Sequence, residues 1–111
     1  MATILENTRN VISGMKTLLE DDLSARNEIE NKVKDKIEKL SLLDDDEDAI
    51  ASIKELNKFL IDCEKYSRKV DKLQLKESIY ETALVKTNNE HNRQIILAKL
   101  AEIDKDKKTF I

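Results

Sequence analysis

Asp44-Asp45-Asp46-Glu47-Asp48 is the stretch that decides how this chain folds. Five successive carboxylates repel one another in a helix interior. They suit a helix N-terminus, where unpaired backbone N–H groups present positive charge. Asp45 or Asp46 makes a good N-cap. Helix-patterned segments lie on both sides, so the run reads as the tip of a helical hairpin, an acidic turn over residues 43–48. A calcium loop would need alternating oxygen ligands, a turn glycine and a closing glutamate. The run holds no glycine, so the turn reading is preferred.

Upstream, Thr3-Ile4-Leu5-Glu6 has capping-box spacing. The apolar positions Leu5, Ile12, Met15, Leu19, Ile29, Val33, Ile37 and Leu40 then recur at helical spacing. One bent helix over 3–42 is expected. The alternative is a break near Glu20–Asp22, where the stripe turns polar at Asp22 and Arg26. Ser13-Gly14 is a second soft spot, since glycine costs about 1 kcal/mol against alanine in a helix. The stripe is broad at Val11, Leu18 and Leu23 and narrows beyond Ile29, so the first half of this helix should meet more than one neighbour. Glu28 with Lys32, Glu30 with Lys34 and Asp35 with Lys39 are i,i+4 pairs in the favourable order and mark a face toward water.

Downstream, a second helix over 47–87 carries Ile50, Ile53, Leu56, Leu60, Cys63, Val70, Leu73, Tyr80 and Leu84, with the seam interrupted at Ser67 and Glu77. Thr87-Asn88-Asn89-Glu90 is another capping-box spacing, and it predicts a break followed by a third helix over 90–107. That helix is the most apolar part of the chain. Ile95, Ile96, Leu97, Leu100 and Ile103 cover more of its circumference than one partner helix can bury. With the hairpin tip near residue 45, residue i should face roughly residue 90 − i, a register that follows from equal rise per residue on the two helices. The third helix then lies beyond the hairpin and either folds back or associates with another chain.

Composition supports this layout. Among 111 residues there is one Gly and no Pro, with 39% charged and 4% aromatic side chains, which is the signature of long helices around a narrow aliphatic core. The expectation is an all-α single domain: an antiparallel helical hairpin or coiled coil with a third C-terminal helix, forming an elongated three-helix bundle. A three-helix bundle is expected at the open end and a two-helix coiled coil at the tip.

Chemistry is sparse. His91 has no companion ligands or nucleophile beside it. Cys63, the single cysteine, falls on an apolar seam and reads as core packing; it permits no intrachain disulfide. No phosphate loop or nucleophile elbow occurs. The expectation is therefore a non-enzymatic protein with no cofactor and no metal.

Lys65, Lys69, Lys72 and Lys76 form a basic stripe. The net charge of −3, the nearby acids Glu20, Asp21 and Asp22, and the lack of interleaved aromatics argue against nucleic acid. No apolar run can span a bilayer, and the N-terminal residues lack signal-peptide character. A reducing, cytoplasmic setting is expected. The remaining function is protein interaction: a coiled-coil subunit of a multi-subunit assembly of the tethering, trafficking or cytoskeletal-attachment type. Its partners would be other helical proteins or a second copy. The alternative is a stand-alone three-helix chaperone or adaptor holding a client. The interaction residues expected are Ile95, Ile96, Leu97, Leu100, Ile103, Val11, Leu18 and Leu23.

Overall fold

Thr3 starts the first helix as its sequence predicts: its hydroxyl accepts from the Glu6 backbone N–H at 3.1 Å. The computed structural model describes residues 3–43 and 45–111; Asp44, the first residue of the acidic run, and Met1 and Ala2 lie outside them. The described residues are all-α. Helix α1 spans Ile4–Asp21, a 3₁₀ turn follows at Leu23–Ala25, and α2 spans Arg26–Ser41. Helix α3 spans Glu47–Lys86 and α4 spans Glu90–Lys107.

The single helix expected over 3–42 is thus two helices, divided at Asp22. Asp22 is extended (φ −138°, ψ 98°), and its carboxylate accepts from the Ser24 N–H at 3.0 Å and the Ser24 hydroxyl at 2.6 Å. An aspartate side chain that satisfies the backbone two residues ahead offers the chain an alternative to the next helical turn. Gly14, the other soft spot, is passed without interruption. It lies inside α1 on the exposed side, and α1 continues through it.

The chain divides into two compact units, residues up to Lys65 and residues from Tyr66 onward. In the first, α1 runs alongside α3 in the same direction. Asp48 of α3 accepts from the Leu5 N–H at 2.9 Å, and Arg9 reaches Glu55 at 3.3 Å. Helix α2 runs antiparallel to α3, with Glu30, Lys34, Leu60 and Glu64 lining one shared groove. The register centred on residue 45 therefore describes α2 against α3. It does not describe α1, whose start lies against Asp48 rather than near residue 85. The break at Asp22 is the cause, because it reverses α1 and returns it to the acidic end. Three helices, not two, consequently pack at the acidic turn.

The core of this unit comes from each helix at alternating three- and four-residue spacing. Ile12 and Leu19 of α1, Ile29, Val33 and Leu40 of α2, and Leu56, Phe59 and Cys63 of α3 are buried. Along α3 the buried line reads Ala49, Ser52, Leu56, Phe59, Cys63, Tyr66, Val70. It runs one residue off part of the expected seam: Ile50 is exposed, and Tyr66 rather than Ser67 turns inward. The hydroxyls of Thr8 and Ser52 are buried without a hydrogen-bond partner. Glu28–Lys32 and Asp35–Lys39 pair at 3.1 and 3.0 Å on the wet face. Glu30 instead sits half-buried beside α3.

The acidic run has a structural task in this unit. Asp46 accepts from the N–H groups of Asp48 at 2.9 Å and Ala49 at 3.2 Å, capping α3. Asp48 caps the start of α1. Two helix N-termini thus draw on one short stretch of carboxylates, in line with the positive potential both ends present.

Candidate protein-interaction surface

The second unit is a helical hairpin, the later part of α3 with α4 folded back along it. Asn89, between the helices, is the α4 N-cap and accepts from the Asn92 N–H at 3.2 Å. Thr87, the cap expected from the sequence, accepts instead from the Asn89 N–H at 3.3 Å within the turn.

The far end of α4 is clamped. Tyr66, fully buried, donates its hydroxyl to the Lys107 carbonyl at 2.6 Å. Its ring lies 5.1 Å from that of Phe110. Lys69 Nζ donates to the Thr109 carbonyl at 2.7 Å. Lys107 Nζ meets Glu77 at 2.8 Å, with side chains only 12% and 27% exposed. The Tyr66 bond satisfies a carbonyl that a helix C-terminus leaves unpaired. Glu77, one of the polar interruptions of the seam, has its counter-charge in Lys107.

Away from the clamp the packing opens. The α3 seam continues through Leu73, Glu77, Tyr80 and Leu84 at three- and four-residue spacing, and α4 answers with Ile96, Leu100 and Ile103. Yet no residue from Asp71 to Glu102 is buried. Leu73, Tyr80, Ala83, Leu84, Ile96 and Leu100 are half-buried. Leu75, Ile79 and Val85 are 66%, 61% and 87% exposed, and Ile95 and Leu97 are exposed as well.

The expected interaction residues therefore take different places. Ile103 is buried, Ile96 and Leu100 face α3, and Ile95 and Leu97 lie exposed to either side of that seam. Val11, Leu18 and Leu23 belong to the first unit, where Leu18 is exposed and the other two half-buried. Sequence reasoning missed Leu75, Ile79 and Val85 by following only the seam. Leu75 and Ile79, four residues apart and off that line, carried the signal of a second apolar face on α3.

At the turn end of the hairpin, Ala83, Thr87, Asn92, Ile95 and Ile96 line an open groove of about 320 Å³. Two stripes border it. On α3, Lys72, Lys76, Ile79, Ala83 and Lys86 recur at four- and three-residue spacing; on α4, Asn92, Ile95, Lys99, Glu102 and Asp106 do the same. Among the described residues, Lys72, Lys76 and Lys86 form no ion pair, and Lys99 approaches Glu102 at 3.9 Å. The opposite flank of the hairpin carries Asp71, Glu81, Glu90 and Asp104 together with Arg93 and Lys108, of which Lys108 pairs with Asp104 at 3.6 Å. The basic stripe thus runs into an apolar groove.

Other groups offer little reactivity. Burial pushes the Cys63 thiol up to about 12, helped by Glu30 and Asp62 and opposed by Lys16. Almost none of it is thiolate at neutral pH, so it is a poor nucleophile. His91 is exposed in the first turn of α4. Among the described residues no group of three or more His, Cys, Asp or Glu is placed to hold a metal ion. No helix there is long and apolar enough to cross a membrane. No known protein family, curated protein or solved structure matches the chain.

Proposed function

We propose that this chain is a non-enzymatic helical interaction subunit, and that the hairpin of α3 and α4 packs against helices of partner proteins in coiled-coil fashion. One observation carries this reading. The α3 seam keeps its spacing beyond Val70, yet nothing from Asp71 to Glu102 is buried. A two-helix hairpin of this size is marginal without further burial. Leu75, Ile79, Val85, Ile95 and Leu97 are all exposed on this hairpin, and apolar residues exposed close together mark an interaction surface more often than single scattered ones do.

The test is the size of the native assembly. Tagged wild-type chain should elute from cell extracts far above its 12.8 kDa mass, and Leu75→Asp/Ile79→Asp should shift it to the free form without changing its helicity. A wild-type chain eluting as a free monomer would overturn the reading. A second reading is a stand-alone adaptor that holds a client on the same face. It draws on the first unit, whose Leu19, Ile29, Val33 and Leu56 are almost wholly buried, as in a self-sufficient bundle. An adaptor would be recovered both free and with its client.

A further inference from the structure

We infer that the groove at the turn end of the hairpin takes an acidic amphipathic helix of a partner chain, seated with apolar side chains on Ile79, Ala83, Ile95 and Ile96 and with carboxylates toward Lys76, Lys86 and Lys99. The inference rests on the interaction reading above and names the partner's chemistry.

The floor of the groove is aliphatic and small: Ala83 of α3 lines it with Ile95 and Ile96 of α4, and Ile79 continues the same α3 face one turn away. Such a floor accepts Leu or Ile anchors spaced i, i+3, i+4 and i+7 on a helix. The rim is cationic. Lys76 and Lys86 flank Ile79 and Ala83 on α3, and Lys99 follows Ile95 by one turn on α4. Lys76 and Lys86 are exposed and pair with no carboxylate among the described residues. Asp106 shares the α4 stripe but lies farther from the turn, and Glu102 approaches Lys99 at 3.9 Å, so the unanswered positive charge at the groove end is that of Lys76 and Lys86. Rim charges of one sign select partners of the other and speed their encounter.

The same charge pattern argues against the other occupants. A two-fold dimer with its axis at the groove would bring the groove lysines of one copy close to those of the other, because residues near the axis of an isologous interface meet their own counterparts. Nucleic acid would want aromatic platforms for its bases, and the groove has none. A lipid surface would want Trp or Phe at the boundary, and neither lines it.

The experiment uses the full chain with labelled isoleucine methyl groups and two synthetic helical peptides that share Leu anchors. One carries Glu on its flanks and the other Lys. The Glu peptide should perturb the Ile79, Ile95 and Ile96 methyl signals, and its affinity should fall as salt rises. Lys76→Glu/Lys86→Glu/Lys99→Glu should weaken it about tenfold and let the Lys peptide bind instead. If that variant loses helicity, the Lys→Gln triple replaces it, with loss of Glu-peptide binding still expected. Equal binding of both peptides, no response of these methyls, or concentration-dependent self-association through them would each overturn the inference. So would stronger perturbation by anionic vesicles than by the Glu peptide. The native assembly separates the two readings. If the charge-reversed chain stays assembled while the Leu75→Asp/Ile79→Asp chain leaves, the acidic-helix inference fails and the interaction reading stands.

Discussion

Tyr66→Phe removes one oxygen atom from the clamp that holds α4, and the structure sets the size of the effect. The Tyr66 side chain is wholly buried, and its hydroxyl donates to the Lys107 carbonyl at 2.6 Å. The ring packing against Phe110 survives the change. A neutral hydrogen bond contributes about 0.5–1.5 kcal/mol net, and a buried acceptor left unpaired costs about 1–3 kcal/mol. The Lys107 carbonyl is only partly buried, so a total near 1.5 kcal/mol is expected. Amide hydrogen exchange is the suitable assay, because it reads the opening of α4 separately from the rest of the chain. Protection of the α4 amides should fall about tenfold, since 1.4 kcal/mol is a factor of ten. Tyr66→Ala should remove α4 protection almost entirely, because loss of a buried aromatic ring costs about 3–5 kcal/mol. A Tyr66→Phe chain with α4 exchange within about twofold of wild type, under half a kcal/mol, would refute the clamp as the element that holds the hairpin shut.

Four further outcomes are expected. Gly14→Ala should raise stability by about 0.5–1 kcal/mol in a denaturant melt, because Gly14 is a helix-interior glycine and an added Cβ meets nothing within 4 Å. A double-mutant cycle on Glu77 and Lys107 should give a coupling of about 1–2 kcal/mol, and the same cycle on the exposed Arg9–Glu55 pair about 0.2–0.5 kcal/mol. Thr8→Val and Ser52→Ala should each be neutral or stabilising by up to about 1 kcal/mol, since both hydroxyls are buried without a partner. The Cys63 thiol, pushed up to about 12, holds its proton in the folded state above the pH at which the unfolded chain loses it. Its contribution is therefore fully present below about pH 9 and is lost as pH rises toward 12. Between pH 8 and 10 the stability of wild type should fall by about 1 kcal/mol relative to Cys63→Ala.

Local chemistry was the most legible part of this fold. Thr3 and Asp46 cap the helices that follow them, as residue type and spacing predict. The reversal at Asp22 was legible only as a polar interruption. The same residue could sit on the wet side of a continuous helix, and nothing in the sequence states that its carboxylate turns forward onto Ser24. Whether α1 runs with or against α3 hangs on that one hydrogen-bonding choice, so the register of α1 could not be read without it. The α3 seam was misread by one residue where Tyr66 and Ser67 compete. Tyr66 turns inward because its hydroxyl finds the Lys107 carbonyl, a partner 41 residues away that no local pattern announces. The breadth of the apolar surface was legible in α4, where Ile95 and Leu97 are exposed, and the exposed Leu75 and Ile79 of α3 were missed because they lie off the seam that the periodicity highlights.

One helix, α3, carries an inward line of residues at unbroken three- and four-residue spacing from Ala49 to Leu84, yet burial along it changes partway. In the first unit that line meets both α1 and α2, and Leu56, Phe59 and Cys63 are at most 3% exposed. In the second it meets α4 alone, and past Val70 its residues are half-buried at best. Sequence spacing cannot account for the difference, since it is the same in both. The number of helices that share the stripe can: a single neighbour covers a narrow seam, whereas a stripe wider than about 100° needs two. Leu75 and Ile79 add a second apolar face to α3, and Ile95 and Leu97 widen the stripe of α4, in the stretch where α3 and α4 pack on each other. On the interaction reading proposed above, helices of a partner would complete the second unit as α1 and α2 complete the first. On the basic flank of the hairpin, the proposed partner helix is an acidic one, matched to Lys76 and Lys86.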